Sequence, residues 1–252
     1  MALGSSDPVY VYAQTNIRLY RQLDERGYAP DDVGAVGRAY ELALRLFTCV
    51  YRGSGKPFLA HAVGTASILA SLRARMPVIA AGLLHAAYTH GEFGNGWRGV
   101  SPPKRREVRR AVGEEVESLV ARYTELAWHA GTIGGIRDSL GDITSVERDV
   151  LLVRLANELE DHLDLGILYT GEAERRRQYM RTHLSLCAEM AAWLGAPELA
   201  EALTATFEEV AAAEVPAGLQ RPEHGSFRVP PASHGTRLRV LVSHFIARWR
   251  RR

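Results

Sequence analysis

Two histidines, His85 and His90, end an apolar run of small residues that begins at Ala81. Imidazole exchanges protons near neutral pH and binds metals, so histidines at one site indicate acid–base or metal chemistry. Five residues separate the pair, which on a regular helix sets the side chains about 140° apart. They can therefore address one site only if the helix ends between them, and Gly91 is a residue that permits such an end. The alternative for His90 is a C-terminal histidine that interacts with the helix dipole, and the sequence favours neither.

A second set of polar side chains lies far along the chain, on one face of a predicted helix. Its members have the spacing i, i+3, i+4 and i+7, which aligns Asn157, Glu160, Asp161 and Asp164. A solvated stripe is the usual meaning of this pattern, but the same helix begins with an apolar run at 150–153, which favours burial. We therefore expect Asn157 and Asp161 to face a cavity. Glu158 and His162 should point outward.

Histidines and buried acids together would make a site for proton transfer. If Asp161 lies buried beside an imidazole such as that of His85, charge pairing raises the pKa of the histidine. The site is then suited to general acid–base work, with His90 and Asp161 as the catalytic groups. Tyr88, three residues from His85, is a further candidate to donate or accept a proton, although a core tyrosine is the commoner meaning of its position.

The elements that must position these residues are helices, and no stretch shows convincing strand alternation. Apolar side chains recur with the helical period, so the sequence predicts an all-α protein. Caps and stop residues place the helices at 9–26, 31–50, 61–72, 77–90, 104–126, 146–168, 172–194, 197–213 and 236–252. The segments 91–103 and 131–141 are predicted loops, because glycine or proline is concentrated in each.

The loop 93–97, with the sequence Phe-Gly-Asn-Gly-Trp, follows the histidine stretch directly. Glycine-hinged loops often close over ligands, so a lid is one interpretation. An ordinary structural loop accounts for the sequence equally well.

Composition is that of a globular protein, with 46% hydrophobic and 24% charged residues among 252. No uncharged apolar run approaches the roughly 18 residues that cross a bilayer, and the N-terminus lacks the pattern of a secretory signal. Cys49 and Cys187 fall in helical patterns and are predicted to be buried thiols without a disulfide. We therefore expect a cytoplasmic protein.

Charge is unevenly distributed along the chain. The segment 219–252 holds eight arginines and one acid, a net +7, so the rest carries −5 of the total of +2. This predicts a helical domain at 9–213, followed at 214–252 by a Pro/Gly-rich linker and a basic amphipathic tail. The tail suits an acidic protein partner or an anionic membrane surface, or packs back on the acidic body. No recognised motif supports nucleic-acid binding.

Several separated motifs resemble those of the RelA/SpoT-type guanosine-polyphosphate hydrolase domain, a member of the HD superfamily. They follow the family's order and spacing over residues 35–165. The matching segments are 39–43, 51–58 with His61, 66–70, 80–85, 112–116, 119–120, 124–126 and 148–156. The resemblance implies an HD-like helical bundle and, for an intact site, metal-dependent phosphohydrolase activity.

The resemblance also implies where a metal site would lie. In that family a divalent metal, usually manganese, is held by a histidine after the Pro-Phe turn, by a His-Asp pair and by a distant aspartate. The first corresponds to His61, the pair to His85-Ala86 and the last to Asn157. A hard divalent cation needs anionic oxygen, which neither Ala86 nor Asn157 provides. We therefore expect no cofactor, or at most a divalent metal held weakly by His61 and His85, with Asn157 as an added ligand.

Further departures surround these positions. The family's Glu-Asp pair, which helps to activate the attacking water, corresponds to Thr89 and His90. Its Asp-Arg-Leu-His-Asn run corresponds to 157–161, Asn-Glu-Leu-Glu-Asp, so a basic or neutral strip has become acidic. If these acids face the pocket without cations, they repel a polyphosphate, since like charges about 4 Å apart repel by roughly 4 kcal/mol at an effective dielectric constant near 20.

Ligand-binding residues are expected at the mouth of the pocket. Arg52 and Lys56 match family positions there, although as turn residues they are equally well explained as surface charges. Asn157 and Glu160 complete the predicted ligand-binding set.

These observations predict a divergent HD-superfamily protein that binds an unknown small molecule, or regulates through it, without hydrolysing it. The alternative is an enzyme rebuilt on the same cavity, with metal-assisted or His/Asp acid–base chemistry, including a phosphohydrolase of altered specificity. We do not expect a manganese-dependent guanosine-polyphosphate hydrolase.

Overall fold

The computed structural model describes residues 12–94, 96–221 and 225–229. These residues form an all-α fold with a single pair of two-residue strands, which confirms the predicted fold class. The helices are α1 (Asn16–Glu25), α2 (Pro30–Phe47), α3 (Phe58–Ser71), α4 (Met76–Leu84), α5 (Ala87–His90), α6 (Pro102–Val112), α7 (Glu114–Glu125), α8 (Ile133–Asp138), α9 (Ser145–His162), α10 (Ala173–Trp193) and α11 (Pro197–Ala212). The strands are β1 (Val50–Tyr51) and β2 (Phe227–Arg228), and short 3-10 turns lie at Leu140–Asp142, Leu163–Tyr169 and Ala217–Leu219.

Helices α3 and α4 form the centre of the fold, because each is buried on nearly every side. They pack against α2, α7 and α9. The two central helices approach closely at Gly82, where an added methyl would lie 2.6 Å from a methyl of Leu69. Small residues at such crossings let the backbones approach, and the apolar sequence of both helices follows from this burial.

The central helix breaks at His85-Ala86, which separates α4 from α5. Ala86 has φ −100° and ψ 14°, outside the helical region, and it precedes the first residue of α5. The expected break between His85 and His90 is therefore confirmed, although it comes five residues before Gly91. After the break, α5 turns His90 towards the same part of the fold as His85.

Helix α9 starts at a capping box and ends earlier than predicted. The Thr144 hydroxyl accepts a hydrogen bond from the Glu147 N–H at 3.3 Å, and the Glu147 carboxylate accepts from the Thr144 N–H at 2.7 Å. The helix stops at His162, because Asp164 and Leu165 take left-handed φ values of 58° and 55°. The predicted helix 146–168 is thus wrong at its C-terminal end.

Two other predicted boundaries are also wrong. The segment 104–126 is two helices, because Gly113 takes a φ of 89° between α6 and α7. The predicted loop 131–141 contains α8. The first helix is also shorter than predicted, because residues 12–15 are not helical and α1 begins at Asn16. The predicted residues 9–11 of that helix and the tail helix 236–252 lie outside the described residues.

Within the described ranges, no helix combines the length and the apolar character that crossing a membrane requires. Cys187 is buried in α10, as expected, whereas Cys49 lies beyond the end of α2 and is partly exposed. The prediction of a buried helical thiol is therefore wrong for Cys49.

The described part of the C-terminal extension lies on the body. Strand β2 pairs antiparallel with β1, with Val50 opposite Arg228 and Tyr51 opposite Phe227. The Arg228 guanidinium donates a hydrogen bond to the backbone oxygen of His90 at 2.9 Å. Sequence alternation did not reveal this pairing, because a two-residue strand is too short to alternate. The domain division at residue 213 stays a prediction.

Candidate ligand-binding site

A cavity of about 880 Å³ opens beside the break between α4 and α5. Its walls come from that break, from α7 and the segment after it, from α9 and from the first half of α10. The lining includes Arg52, His85, Ala86, Thr89, His90, Asn157 and Asp161, which the sequence had singled out. The cavity is within the size range of small-molecule sites, roughly 300–1,000 Å³.

His61 and His85 meet in the buried part of the site. His85 Nδ1 lies 2.7 Å from the Gly82 backbone oxygen and donates to it, because a carbonyl oxygen only accepts. His61 Nδ1 is hydrogen-bonded to the Glu160 carboxylate. The two Nε2 atoms lie 3.2 Å apart. Acceptors at the far nitrogens therefore direct both remaining nitrogens at each other, an orientation that such partners give to metal-binding histidines.

The space between the two Nε2 atoms suits a proton or a metal cation. If both Nδ1 atoms carry protons, both Nε2 atoms present lone pairs, which repel unless a positive centre lies between them. Two imidazoles fit a borderline-soft ion such as zinc. Asn157 and Ala86 line the neighbouring wall and bring no anionic oxygen, so this donor set does not fit the hard manganese ion.

Glu160 reaches His61 because Gly64 leaves it room. A Cβ at Gly64 would lie 2.5 Å from Glu160 Oε1, so a side chain there and the carboxylate exclude each other. Glu160 is buried, and its second oxygen accepts a hydrogen bond from Lys56 Nζ. His61, Glu160 and Asp161 are also close enough to share a cation, with one ligand atom from each within 4.8 Å of the others.

Asp161 faces the large cavity and is paired with Arg52. Although burial alone would raise the pKa of Asp161, the Arg52 guanidinium and His61 hold it well below its ordinary range. Asn157 Nδ2 donates to the other carboxylate oxygen of Asp161 at 3.3 Å. Asn157 and Asp161 therefore both face the cavity, as predicted.

The acidic run does not meet the condition under which it would repel a polyphosphate. Glu160 and Asp161 carry their own cations, Lys56 and Arg52. Asp164 lies beyond the end of α9 with its side chain 76% exposed, so it does not share the helical face. The prediction that these acids face the pocket without cations is thus wrong.

Glu158 and His162 are also placed differently from the prediction, because both are buried rather than outward. Glu158 lines the large cavity, where Arg154 and Trp128 bind one of its oxygens. His162 packs against Phe207 of α11. The sequence offered no sign that α11 covers this side of α9.

His90 lines the cavity with a neutral imidazole. Its ring stacks on Phe58 with the centroids 5.1 Å apart, and its Nδ1 lies 2.9 Å from the Thr89 hydroxyl. Burial, with the nearby Arg52 and Arg98 guanidinium groups, lowers the pKa of His90 to about 4. A general base works best with a pKa near the operating pH, so this geometry favours a hydrogen-bonding role over proton abstraction.

The expected rise in the pKa of His85 is wrong. Burial and the neighbouring His61 lower the pKa of His85 well below its ordinary value. The acids do not reverse this shift, because Glu160 contacts His61 and Asp161 is already paired with Arg52.

Tyr88 is a core residue and does not line the cavity. Its hydroxyl donates to the buried Glu117 carboxylate at 2.9 Å, and Arg105 binds the same carboxylate. Burial and this contact raise the pKa of Tyr88 above its ordinary value. The proposed catalytic role for Tyr88 is therefore wrong.

The loop 93–97 packs beside Tyr88 and, in its described residues, does not line the cavity. Phe93 stacks on Tyr88 with the ring centroids 6.1 Å apart. Lys104 is almost fully buried and its ammonium binds the backbone oxygens of Trp97 and Gly99. The contacts of these residues fit the structural-loop interpretation, and the lid interpretation stays a prediction.

A smaller cavity of about 240 Å³ adjoins the larger one and shares Arg52, His90, Asp161 and Arg176 with it. Lys56 and Glu160 line only the smaller cavity, so these two predicted ligand-binding residues are separated from Asn157. Gly225 and Ser226 of the extension form part of its wall.

Sequence patterns did not indicate the aromatic and basic residues of the far walls. These are Tyr123, Trp128, Arg154, Arg175, Arg176, Tyr179 and His183. Arg154 lies over the rings of Tyr123 and Trp128, 5.9 and 5.3 Å from their centroids. The i, i+4 spacing of Arg154 and Glu158 was the available sign of a paired charge on a buried face.

Comparison with known proteins adds a sequence relationship to this geometry. Residues 45–127 match the family described as "Domain of unknown function (DUF6817)". Over 183 residues the chain is 26% identical to the GTP pyrophosphokinases rsh of Brucella melitensis and Brucella ovis, a match that covers 70% of this chain and 22% of each relative. It is similar to one part of these proteins. Over 169 residues it is 27% identical to the GTP pyrophosphokinase of Streptomyces coelicolor, covering 64% of this chain and 18% of that one.

The chain thus spans about a fifth of the length of the curated relatives it matches. This similarity supports the resemblance that the motifs suggested, at the level of distant sequence relationship.

Proposed function

We propose that the large cavity binds a small anionic ligand with a planar ring, of the nucleotide class, and that the chain does not hydrolyse it. The protein then acts as a ligand-binding or regulatory member of its group, derived from an HD-type phosphohydrolase. The observation that carries the proposal is the combination of four arginines with aromatic rings around one cavity whose two carboxylates are already neutralised.

The charges in the cavity favour an anion. Asp161 is paired with Arg52 and Glu158 with Arg154, so Arg175 and Arg176 remain as excess positive charge in the lining. Arg175 and Arg176 share the single carboxylate of Glu172. Arg176 Nε is buried and has no hydrogen-bond partner among the described residues. Guanidinium groups bind phosphate and carboxylate through paired N–H donors, which suits this position to the charged part of a ligand.

The aromatic walls favour a planar ring. Tyr123, Trp128 and Tyr179 line the cavity together with Phe58. Aromatic faces and the guanidinium of Arg154 stack on flat ligands at little conformational cost. The similar proteins are GTP pyrophosphokinases, which are named for a nucleotide, and this supports the nucleotide class here.

The lack of hydrolysis rests on the residues at the ancestral metal site. Ala86 and Asn157 correspond to metal-binding aspartates of the family that the chain resembles. Thr89 and His90 correspond to the acids that activate water in that family. The carboxylates that do lie nearby, Glu160 and Asp161, are engaged by Lys56, Arg52 and His61. A hard divalent ion would have to displace these internal cations.

Binding is tested by calorimetric titration of the protein with guanosine tetraphosphate, GDP and GMP. We expect binding that Arg176→Gln weakens about tenfold, which corresponds to the loss of one charge-assisted hydrogen bond. Arg181→Gln on the same helix is the matched control, because Arg181 is exposed and does not line the cavity. Unchanged binding in Arg176→Gln, or no binding in the parent protein, contradicts the proposal.

A metal-assisted enzyme is the second candidate, and the convergence of the His61 and His85 Nε2 atoms favours it. Elemental analysis of protein purified without chelator tests it. About one zinc per chain that is lost in both His61→Ala and His85→Ala supports this candidate, and substoichiometric metal in the parent protein counts against it.

A further inference from the structure

The wall of the smaller cavity includes part of the C-terminal extension. Gly225 and Ser226 lie there beside residues of the turn 52–56 and of the segment 163–172. We call residues 220–221 and 225–229 of the extension the cover. Its contacts with the body lie next to both of the other wall segments, so the cover is held on two sides of this cavity.

On one side, the cover is hydrogen-bonded to the segment that follows α9. The Arg221 N–H donates to the Tyr169 backbone oxygen at 2.9 Å, and the Gln220 side-chain amide donates to the Leu168 backbone oxygen at 3.5 Å. The Arg221 guanidinium lies against Gly55, where an added Cβ would lie 3.2 Å from its Nη1. Glycine at position 55, which has a φ of 90°, therefore leaves room for the cover.

On the other side, the cover is attached to β1. The Val229 N–H donates to the Cys49 backbone oxygen at 3.0 Å, next to the pairing of β2 with β1. The Phe227 ring stacks on Tyr51 with the centroids 5.6 Å apart. A short ladder and one aromatic stack thus fix this side of the cover.

The docked cover also restrains two residues that both cavities share. Tyr51 of β1 is followed directly by Arg52, which lines the two cavities. Arg228 of the cover forms an ion pair with Glu92 at 3.2 Å, in addition to its bond to the backbone oxygen of His90. The cover is therefore tied to the boundary between the two cavities.

The smaller cavity leads to the buried pair of His61 and Glu160. Lys56 and Glu160 line this cavity and not the larger one, and Glu160 is bonded to His61. His61 itself lines neither of the two. A small molecule in the smaller cavity therefore meets Lys56 and Glu160 before it can reach His61.

The cover has no buried apolar residue. Each of its residues is exposed or partly exposed, and the cavity beneath it is lined largely by polar and charged side chains. Burial of apolar surface is the main favourable contribution to docking in proteins, so a segment without it is held weakly. Segments that depend on exposed backbone hydrogen bonds open locally while the rest of the fold persists.

We propose that the cover is a gate. It closes the smaller cavity when docked, and when undocked it gives small molecules access to Lys56 and the His61–Glu160 pair. The two forms exchange without unfolding of the helical body. Phe227 and Arg228 set the docked fraction, since their side chains bind different parts of the body. This inference concerns access and is independent of the ligand proposed for the larger cavity.

Lysine acylation measures this access directly, because the chain has two lysines, Lys56 and Lys104. Lys56 lines the smaller cavity, whereas Lys104 is 2% exposed in α6 and serves as the internal monitor of global unfolding. The full-length protein is treated briefly with an N-hydroxysuccinimide ester of acetate. Mass spectrometry of proteolytic peptides then gives the acylation rate at each lysine.

Phe227→Ala removes the stack with Tyr51 and shifts the cover towards the undocked form. Lys56 should therefore be acylated about tenfold faster than in the parent protein, while the rate at Lys104 is unchanged. Leu219→Ala is the matched control, because Leu219 is 59% exposed in the extension and lies outside the cover. Equal rates at Lys56 in Phe227→Ala and the parent protein, or a rise that Lys104 matches, overturn the inference.

Arg228→Gln is the second variant, and it acts on the other attachment of the cover. It removes the ion pair with Glu92 and weakens the bond to the His90 oxygen, so Lys56 should be acylated about threefold faster. If Phe227→Ala does not fold, this variant decides, and an unchanged rate at Lys56 then overturns the inference.

Discussion

His61 and His85 direct their Nε2 atoms at each other across 3.2 Å, and each ring is held in that orientation by an acceptor at its other nitrogen. The acceptors are the Glu160 carboxylate and the Gly82 backbone oxygen. This histidine arrangement is suited to a metal, but the nearby carboxylates of Glu160 and Asp161 are already paired with Lys56, His61 and Arg52. A hard metal would have to compete with these internal partners.

Adding carboxylates beside His85 should raise the affinity of the site for a hard cation. Ala86→Asp combined with Asn157→Asp adds two anionic oxygens to the wall beside His85, so manganese affinity should rise by about tenfold or more. Electron paramagnetic resonance of free manganese measures this directly. Ala211→Asp, at an exposed position of α11, is the control for added charge. A double variant that binds manganese no better than the control contradicts this account of the site.

The pair of Arg52 with Asp161 should contribute to folding. Arg52→Gln leaves a buried carboxylate without its partner, so the free energy of unfolding should fall by about 3 kcal/mol. Replacing both residues, as Arg52→Gln with Asp161→Asn, should cost less than the single change. Urea denaturation gives both values.

The exposed pair of Arg21 and Glu25 provides the control for that measurement. It has a comparable geometry, at 2.6 Å, but lies in solvent. Arg21→Gln should change the free energy of unfolding by less than about 0.5 kcal/mol. Equal falls in the free energy of unfolding in Arg21→Gln and Arg52→Gln would show that burial does not make the Arg52–Asp161 pair more important for stability.

Stability should depend on pH through His90. The pKa of His90 is about 4 in the folded chain and near 6.5 when unfolded, so between these values the unfolded state binds the extra proton. The free energy of unfolding should therefore rise with pH from about 4 to 6.5, by about 3 kcal/mol for this group. The pKa of His85 is also lowered in the folded chain. His90→Gln should therefore reduce the pH dependence of the free energy of unfolding without abolishing it. A His90→Gln profile that parallels the parent profile over this range would refute the assignment.

Gly64 should be indispensable for the position of Glu160. Gly64→Ala places a methyl 2.5 Å from Glu160 Oε1, so the variant should lose about 1–3 kcal/mol of stability. Gly134→Ala in α8 is the matched control, because a Cβ there meets nothing within 4 Å and alanine favours the helix. Thermal unfolding of both variants checks this, and equal effects would mean that Glu160 moves aside freely.

The sequence predicted the helical framework and the place of the cavity because both depend on local patterns. Apolar periodicity located the helices, and the motif order placed His61, His85 and Asn157. The exact break at Ala86 was not predictable, since no proline or glycine marks it. Gly113 and the left-handed Asp164 and Leu165 ended helices in places where the apolar pattern continued.

Sequence patterns did not show which groups surround each charged side chain. Glu160 and Asp161 appeared as an acidic strip, and only the turn bearing Arg52 and Lys56, about 105 residues earlier, explains why they do not repel an anion. Glu158 appeared outward because helical periodicity does not show that α7, α10 and α11 also cover α9. Tyr88 was a plausible proton donor because the sequence does not show that Glu117, on another helix, accepts a hydrogen bond from its hydroxyl.

Anion-exchange chromatography of guanosine tetraphosphate incubated with the protein and manganese, and quenched with chelator, tests the central claim most directly when it accompanies a calorimetric titration of the same protein with the same ligand. We predict that the titration shows binding that excess GMP reduces, while the chromatograms show no pyrophosphate that grows with time. Growth of a pyrophosphate peak that depends on the protein and is lost in His61→Ala would contradict the account.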